Sequence, residues 1–204
     1  LTGYGTISAD INFSGSDSDL LADGGTLSVS GTLLDVDDIG TASSTGTLII
    51  INPWSTSIAN RLILNGGSIT GGSIDNDGTT IGHGLIATDN FTNNGFLTAS
   101  AGTLTLGTVN TPDLDGDSPL ESGQINATSG DIHVHNTFGF TPIFNGQLHV
   151  GLGRWFVMNH DGLRIAPNSA AGPQGRMDLH GGTYQAPKLV QGGQLTVDTA
   201  TSQL

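Results

Sequence analysis

The 204-residue chain contains no cysteine and has few charged or aromatic residues. Without cysteine it can form neither a disulfide nor a thiolate-based zinc site. Charged residues make up 11% of the chain, and Glu121 and Lys188 are its single glutamate and single lysine. Because glutamate and lysine cover the surfaces of most helices, their scarcity argues against a helical fold. No apolar run approaches the roughly 20 residues that cross a bilayer, so we expect no membrane insertion.

The charges that are present are mostly negative, and the formal net charge is −13. Nucleic-acid binding requires clustered lysine and arginine, so this balance excludes nucleic acid as an expected partner. An anionic membrane surface is disfavoured for the same reason. The acidic residues either keep a weakly charged surface soluble or bind divalent cations.

Glycine is abundant, with 32 residues, and it opens a unit that recurs along the chain. In each unit a glycine precedes a small polar residue and then an aliphatic one. Clear examples are Gly25–Val29, Gly46–Leu48, Gly102–Leu106, Gly146–Val150 and Gly193–Val197. Such a unit predicts a turn followed by a short two-sided strand, which must stack on copies of itself to bury its apolar face.

The spacing of the units predicts the architecture. The aliphatic anchors recur about every 20 residues, at Ile7, Leu27, Leu48, Ile69, Ile86, Leu104, Ile125, Leu148, Met177 and Leu195. This period indicates an all-β fold, a single parallel β-solenoid of about ten coils with almost no helix. We expect regular coils over residues 1–137, irregular aromatic-rich coils with a protruding loop over 138–187 in the same domain, and a terminal coil over 188–204.

Three internal echoes support one common period. The matching pairs are Gly3–Asp10 with Gly82–Asp89, Ala22–Val29 with Ala99–Leu106, and Arg61–Ile69 with Arg176–Tyr184. We therefore expect inward aliphatic residues, outward threonine, serine, aspartate and histidine, and glycine or asparagine at the corners. Threonine and asparagine ladders between coils are expected to add side-chain hydrogen bonds.

The segments Leu64–Ile74, Ile81–Ala87 and Asn93–Ala99 resemble the degenerate repeats of large secreted bacterial surface proteins. These are autotransporter passengers, filamentous-haemagglutinin-like adhesins and planctomycete-type extracellular repeat proteins. The resemblance covers about three quarters of the chain. It implies a right-handed parallel β-helix, export to the extracellular surface, and an adhesive or scaffold role with no catalytic motif.

Neither end of the sequence shows a polar or helical cap, since it opens and closes within a repeat. Uncapped coils present unpaired strand edges. The ends are therefore those of a piece cut from a longer solenoid, or they pair head-to-tail with other copies in a filament. The expected function is that of a structural or adhesive surface protein whose partners are further copies of itself and cell-surface glycans.

A second hypothesis concerns the irregular stretch, which is rich in aromatic residues. Trp155, Phe156, His160 and Arg164 form a candidate binding surface there, because aromatic rings stack on sugars. The alternative function is a glycan-binding module or a polysaccharide lyase or hydrolase. The bulky residues equally suit coil packing. Basic residues are few and no carboxylate pair stands out, so we do not expect an enzyme.

The strongest metal candidate is an aspartate-rich segment. Asp113, Asp115, Asp117 and Glu121 alternate in a way that would place several hard oxygens on one side of a loop, as Ca²⁺ prefers. The glycine and glutamate positions differ from those of an EF-hand, and the alternative is a solvated acidic loop. Asp35, Asp37 and Asp38 form a second acidic turn.

Histidines offer a further metal candidate. His133 and His135 lie two apart on a predicted strand, with Asp131 beside them, and His149 falls about one coil later. Two or three histidines with a carboxylate can bind a transition metal. The competing interpretation is an ordinary polar outer face.

Overall fold

The structure is a computed structural model that describes residues 1–13, 18–56, 60–107, 123–135, 143–144, 146–158, 163–165 and 175–197. These residues form strands and turns and contain no helix. The strands are β1 (Thr2–Ile7), β2 (Ile11–Asn12), β3 (Asp19–Val29), β4 (Leu33–Leu34), β5 (Asp38–Thr41), β6 (Thr47–Ile50), β7 (Trp54–Thr56), β8 (Arg61–Gly71), β9 (Ile74–Asn76), β10 (Thr79–Thr88), β11 (Phe91–Asn93), β12 (Phe96–Leu106), β13 (Gln124–Val134), β14 (Ile143–Phe144), β15 (Gln147–Val150), β16 (Trp155–Met158), β17 (Leu163–Ile165), β18 (Arg176–Leu179), β19 (Thr183–Gln185), β20 (Leu189–Gln191) and β21 (Gln194–Val197).

The chain is a parallel β-solenoid, as the sequence predicts. Its main sheet follows the order β1-β3-β5-β8-β10-β12-β13-β15-β18-β21, and every pairing in it is parallel. We call each set of paired strands at one level of the stack a rung. Strands β6, β16 and β19 belong to the same rungs but lie after a bend in the chain, which we call the corner. Successive coils are about 21 residues long. Among the described residues, the strands of each coil therefore pair with those of the coils immediately before and after it, as in other solenoids.

The core consists of columns of aliphatic side chains that stack from coil to coil. Leu27, Leu48, Ile69 and Ile86 occupy one column. The later anchors occupy a second column on the other side of the corner, where Ile125, Leu148, Met177 and Leu195 are in register. Each long strand thus contributes two buried segments, whereas the sequence analysis counted a single anchor per coil.

The corner between these two segments explains the internal echoes. The pairing register shifts at Gly3/Gly5 and again at Gly82/Gly84, and all four glycines have positive φ, between 130° and 147°. The second echo places Gly24 (φ 67°) and Ala101 (φ 60°) at equivalent corners. The repeats that align in the sequence therefore make the same bend in space.

Short strands close the other side of the coils. They form three small parallel sheets: β2 with β4, β7 with β9 and β11, and β14 with β17 and β20. At the last residue of each strand in the second of these sheets runs a buried ladder of polar side chains. Asn76 Nδ2 donates to Asn93 Oδ1 at 2.6 Å, and Thr56 Oγ1 donates to Asn76 Oδ1 at 3.1 Å. Ladders between coils were expected, but this one lies inside the solenoid.

Polar contacts also join neighbouring coils on the outside. Arg61 donates from Nε and Nη2 to the two oxygens of Asp38, at 2.7 and 2.6 Å, and this pairing raises the pKa of Arg61. Asp10 accepts a hydrogen bond from the backbone N–H of Thr32 at 2.7 Å, which lowers the pKa of the Asp10 carboxyl. These contacts fix the register of adjacent coils at solvent-exposed edges.

The hydroxyl of one buried threonine makes no hydrogen bond to any described residue. Thr80 is fully buried between Leu62 and Leu97, and its Oγ1 has no hydrogen-bond partner among the described residues. Thr80→Val keeps the shape of the side chain and removes the unpaired hydroxyl, so we expect the free energy of unfolding to rise by about 1 kcal/mol.

The matched control is Thr88→Val. Thr88 is equally buried but donates to Asn90 O at 2.9 Å, so its replacement should be destabilising by about 1 kcal/mol. Urea unfolding followed by circular dichroism measures both, and equal signs would contradict the interpretation.

Candidate functional site

Three successive rungs of the main sheet build a concavity on its outer face. β13, β15 and β18 stack in register, so that Asn126, His149 and Asp178 form one outward column. The concavity has a volume of about 420 Å³. We call it the notch, and it is lined by Gln124, Asn126, Thr128, His149, Val150, Gly151, Asp178 and His180.

A glycine shapes the notch. The pairings Ala127↔Val150↔Leu179 place the next residues, Thr128, Gly151 and His180, in one further column. Gly151 therefore lies between two residues with side chains and has none itself. A Cβ at Gly151 would approach Thr128 Cα at 3.1 Å, on the wall of the notch. The concavity follows from this missing side chain on an otherwise regular sheet.

An ion-pair network holds the central residues in place. Asp178 Oδ2 accepts from Arg176 Nε at 2.6 Å and lies 3.2 Å from His149 Nδ1. On its other side, the His149 ring places Nε2 3.5 Å from Gln147 Oε1. Asp178 Oδ1 is buried without a hydrogen-bond partner among the described residues. The notch thus places an imidazole beside an ion-paired carboxylate.

No family model, no curated protein and no solved structure matches this chain. The function must therefore be argued from its own surface. Within the described part of the chain, no helix has the length and hydrophobicity needed to cross a membrane.

A second, larger concavity runs along the solenoid axis over the segments that follow the corner. Its volume is about 580 Å³. Small and hydroxyl-bearing residues dominate its lining, which consists of Ser44, Gly46, Thr47, Gly66, Gly67, Ser68, Gly84, Leu85, Thr103, Thr105, Gly107 and His135. Thr47 Oγ1 and Ser68 Oγ lie 3.1 Å apart across neighbouring coils. The described residues that line this groove include no formally charged side chain, and its chemistry is less specific than that of the notch.

The structure describes only part of the candidate binding surface that the sequence suggested in the irregular stretch. Trp155 is 42% exposed, and its backbone N–H donates to Asp131 Oδ1 at 3.0 Å. Phe156 is fully buried and stacks on Tyr184, with ring centroids 5.9 Å apart, so it packs in the core instead of facing a ligand. Arg164 pairs through its backbone with β14 and β20, and its side chain is outside the described set, as is all of His160.

The structure describes only one of the two acidic segments that the sequence suggested as metal sites. Asp113, Asp115, Asp117 and Glu121 lie outside the described residues. In the second acidic turn, Asp37 accepts from the Ser18 N–H at 3.0 Å, and Asp38 pairs with Arg61. Over the described ranges, no group of three or more histidine, aspartate or glutamate side chains could hold a metal ion.

The histidines of the sequence hypothesis lie on separate faces. His133 is in register with Thr105 and Val157, whereas His149 is in register with Asn126 and Asp178. The sequence analysis considered His149 only as a companion of His133 and missed the notch. The alternation of Arg176, Asp178 and His180 could have indicated the notch from the sequence, because it puts three polar side chains on one face of a strand.

Proposed function

We propose that this chain is a stretch of an extracellular bacterial surface fibre, structural or adhesive in role, in which solenoid segments stack end to end. The resemblance of its repeats to secreted surface proteins supports the extracellular assignment. The single observation that carries the proposal is the continuous parallel ladder, in which each described coil between the two end rungs pairs with the coil before it and the coil after it.

The end rungs present hydrogen-bonding edges. β1 pairs with β3, and β21 pairs with β18, each on one side only within the described residues. Gln194 N–H donates to Gly175 O at 2.9 Å, toward β18. Because the backbone groups alternate in direction along a strand, the N–H groups of Leu195 and Val197 point to the opposite edge. A further coil could pair there and continue the ladder.

The end rungs also present apolar side chains that belong to the core columns. Leu1 is 62% exposed, although the next member of its column, Leu20, is fully buried. Val197 is 45% exposed, and its column neighbour Leu179 is 1% exposed. Stacking of another solenoid segment would cover both, with a gain of roughly 25 cal/mol per Å² of apolar surface.

Electron microscopy of the purified chain over a range of concentrations tests this proposal. We expect fibres with an axial repeat of about 45–50 Å, from about ten strands spaced 4.8 Å apart. Val197→Pro removes an edge N–H and should abolish the fibres. The matched control, Val197→Ala, keeps the N–H and should still assemble. Isolated rods at every concentration, or fibres that persist in Val197→Pro, would contradict end-to-end stacking.

The notch gives specific support to the second candidate function, glycan binding, over hydrolysis. Hydrolysis of a glycosidic bond usually requires two carboxyl groups that flank it. The notch contains one carboxylate, Asp178, whose Oδ2 is already engaged by Arg176 and His149. The chemistry of this site therefore favours binding.

A further inference from the structure

We propose that the notch binds a neutral sugar residue of a glycan, with His149 and Asp178 as its central contacts. This inference supplies a ligand for the adhesive role proposed above and does not depend on end-to-end stacking. It places binding on the outer face of β13, β15 and β18 instead of on the aromatic stretch favoured by the sequence.

The first argument is the shape of the notch. Its volume of about 420 Å³ lies within the range typical of small-ligand sites, about 300–1,000 Å³. The walls belong to three hydrogen-bonded strands, so the site is formed before any ligand arrives. A preformed site avoids the entropy cost of ordering loops on binding.

The second argument is the kind of polar group that lines the notch. Gln124 and Asn126 offer amides, Thr128 a hydroxyl, and His149 a ring whose Nδ1 lies 3.2 Å from Asp178 Oδ2. Amides and hydroxyls both donate and accept, as sugar hydroxyls do. The lining of the notch therefore offers the kinds of partner that sugar hydroxyls use.

The third argument is charge. The Arg176 guanidinium lies 2.6 Å from Asp178 and is used in neutralising that carboxylate. With a net charge of −13, the chain repels sulfated and uronic-acid glycans. Phosphate ligands are disfavoured for the same reason, and the histidine and aspartate side chains of the notch are not placed to hold a metal ion together within the described residues. A neutral, hydroxyl-rich ligand remains the best chemical match.

Histidine NMR tests the proposal directly. Nitrogen-15-labelled protein is titrated with methyl glycosides and trisaccharides of glucose, galactose, mannose and N-acetylglucosamine. At least one of these sugars should shift the imidazole signals of His149 and His180 in a saturable way. The signals of His83 and His133, which lie elsewhere on the solenoid, should not move.

Two variants and one control locate the binding. Gly151→Ala narrows the notch, and Asp178→Asn releases His149, so each should weaken binding at least tenfold. Asp38→Asn breaks a comparable aspartate–arginine pair on the same face, far from the notch, and should leave the affinity within twofold. Circular dichroism establishes that each variant is folded. Gly151→Ala remains informative if Asp178→Asn fails to fold, because its added Cβ requires only a small shift of Thr128.

The proposal is overturned if no neutral sugar shifts His149 and His180 at millimolar concentration. It is equally overturned if only acidic sugars do so, or if Gly151→Ala binds as tightly as the parent chain. All titrations use Val197→Pro rods as well as the unaltered chain. Loss of fibres and loss of sugar binding are thereby scored separately.

Discussion

Gly82→Ala is expected to lower the free energy of unfolding by about 4 kcal/mol, a large effect for a single methyl group. Gly82 lies in β10 between β8 and β12, with φ at 136°. A Cβ there would fall 1.9 Å from the carbonyl oxygen of Leu64. Backbone atoms of the neighbouring coil cannot move aside as a flexible side chain can. The substitution therefore forces the two coils apart at the corner.

Gly24→Ala is the matched control. Gly24 also has positive φ, at 67°, but a Cβ there would meet nothing within 4 Å. The equivalent corner already holds Ala101 at φ 60°, so alanine is compatible with this bend. We expect a loss of only about 1 kcal/mol, from backbone strain alone. Urea unfolding measures the stability of both variants. If both lose a similar free energy of unfolding, the close approach of the coils at Gly82 does not contribute to the cost of the substitution.

Asn76→Ala is expected to cost about 3–4 kcal/mol through the loss of the internal ladder. Asn76 is fully buried, and its Nδ2 donates both to Asn93 Oδ1 and to the Phe96 carbonyl, at 2.6 and 3.0 Å. Its Oδ1 accepts from Thr56 at 3.1 Å. Truncation leaves the buried Asn93 Oδ1 without its donor and the buried Thr56 hydroxyl without its acceptor, and each such loss costs about 1–3 kcal/mol.

Asn94→Ala serves as the control for the ladder. Asn94 is exposed in a neighbouring turn, and its Nδ2 donates to Asp77 Oδ1 at 3.1 Å on the surface. We expect its replacement to change stability by no more than about 0.5 kcal/mol. Thermal and urea unfolding of the two variants test the difference. A loss below about 1 kcal/mol for Asn76→Ala would mean that water replaces the ladder.

The sequence predicts the stacking of coils because glycine-led units recur at a nearly constant interval. The echo of Gly3–Gly5 in Gly82–Gly84 even identifies the corner, where both pairs of glycines have positive φ. The ladder is harder to predict. Asparagine is common both at exposed corners and in buried ladders, and nothing in the sequence around Asn76 distinguishes it from Asn94.

The notch could not be predicted, because it depends on register across coils of unequal length. Asn126, His149 and Asp178 lie 23 and 29 residues apart, and they align only because the connections between their strands absorb the difference. Similarly, the sequence placed Phe156 in the candidate binding surface, but side chains alternate along β16. Trp155 therefore faces outward, and Phe156 faces the core. Composition alone carries no information on which of two adjacent aromatic residues faces the core.

The pairing of each coil only with its neighbours also has a kinetic consequence. Every rung closes a loop of about 21 residues, so the relative contact order is about one tenth. That value is typical of fast-folding helical bundles, whereas β-sandwiches of similar size must close far longer loops. We expect folding to advance as a zipper, with each completed coil serving as the template for the next. Such a chain can fold progressively as it emerges, before its remaining coils are available.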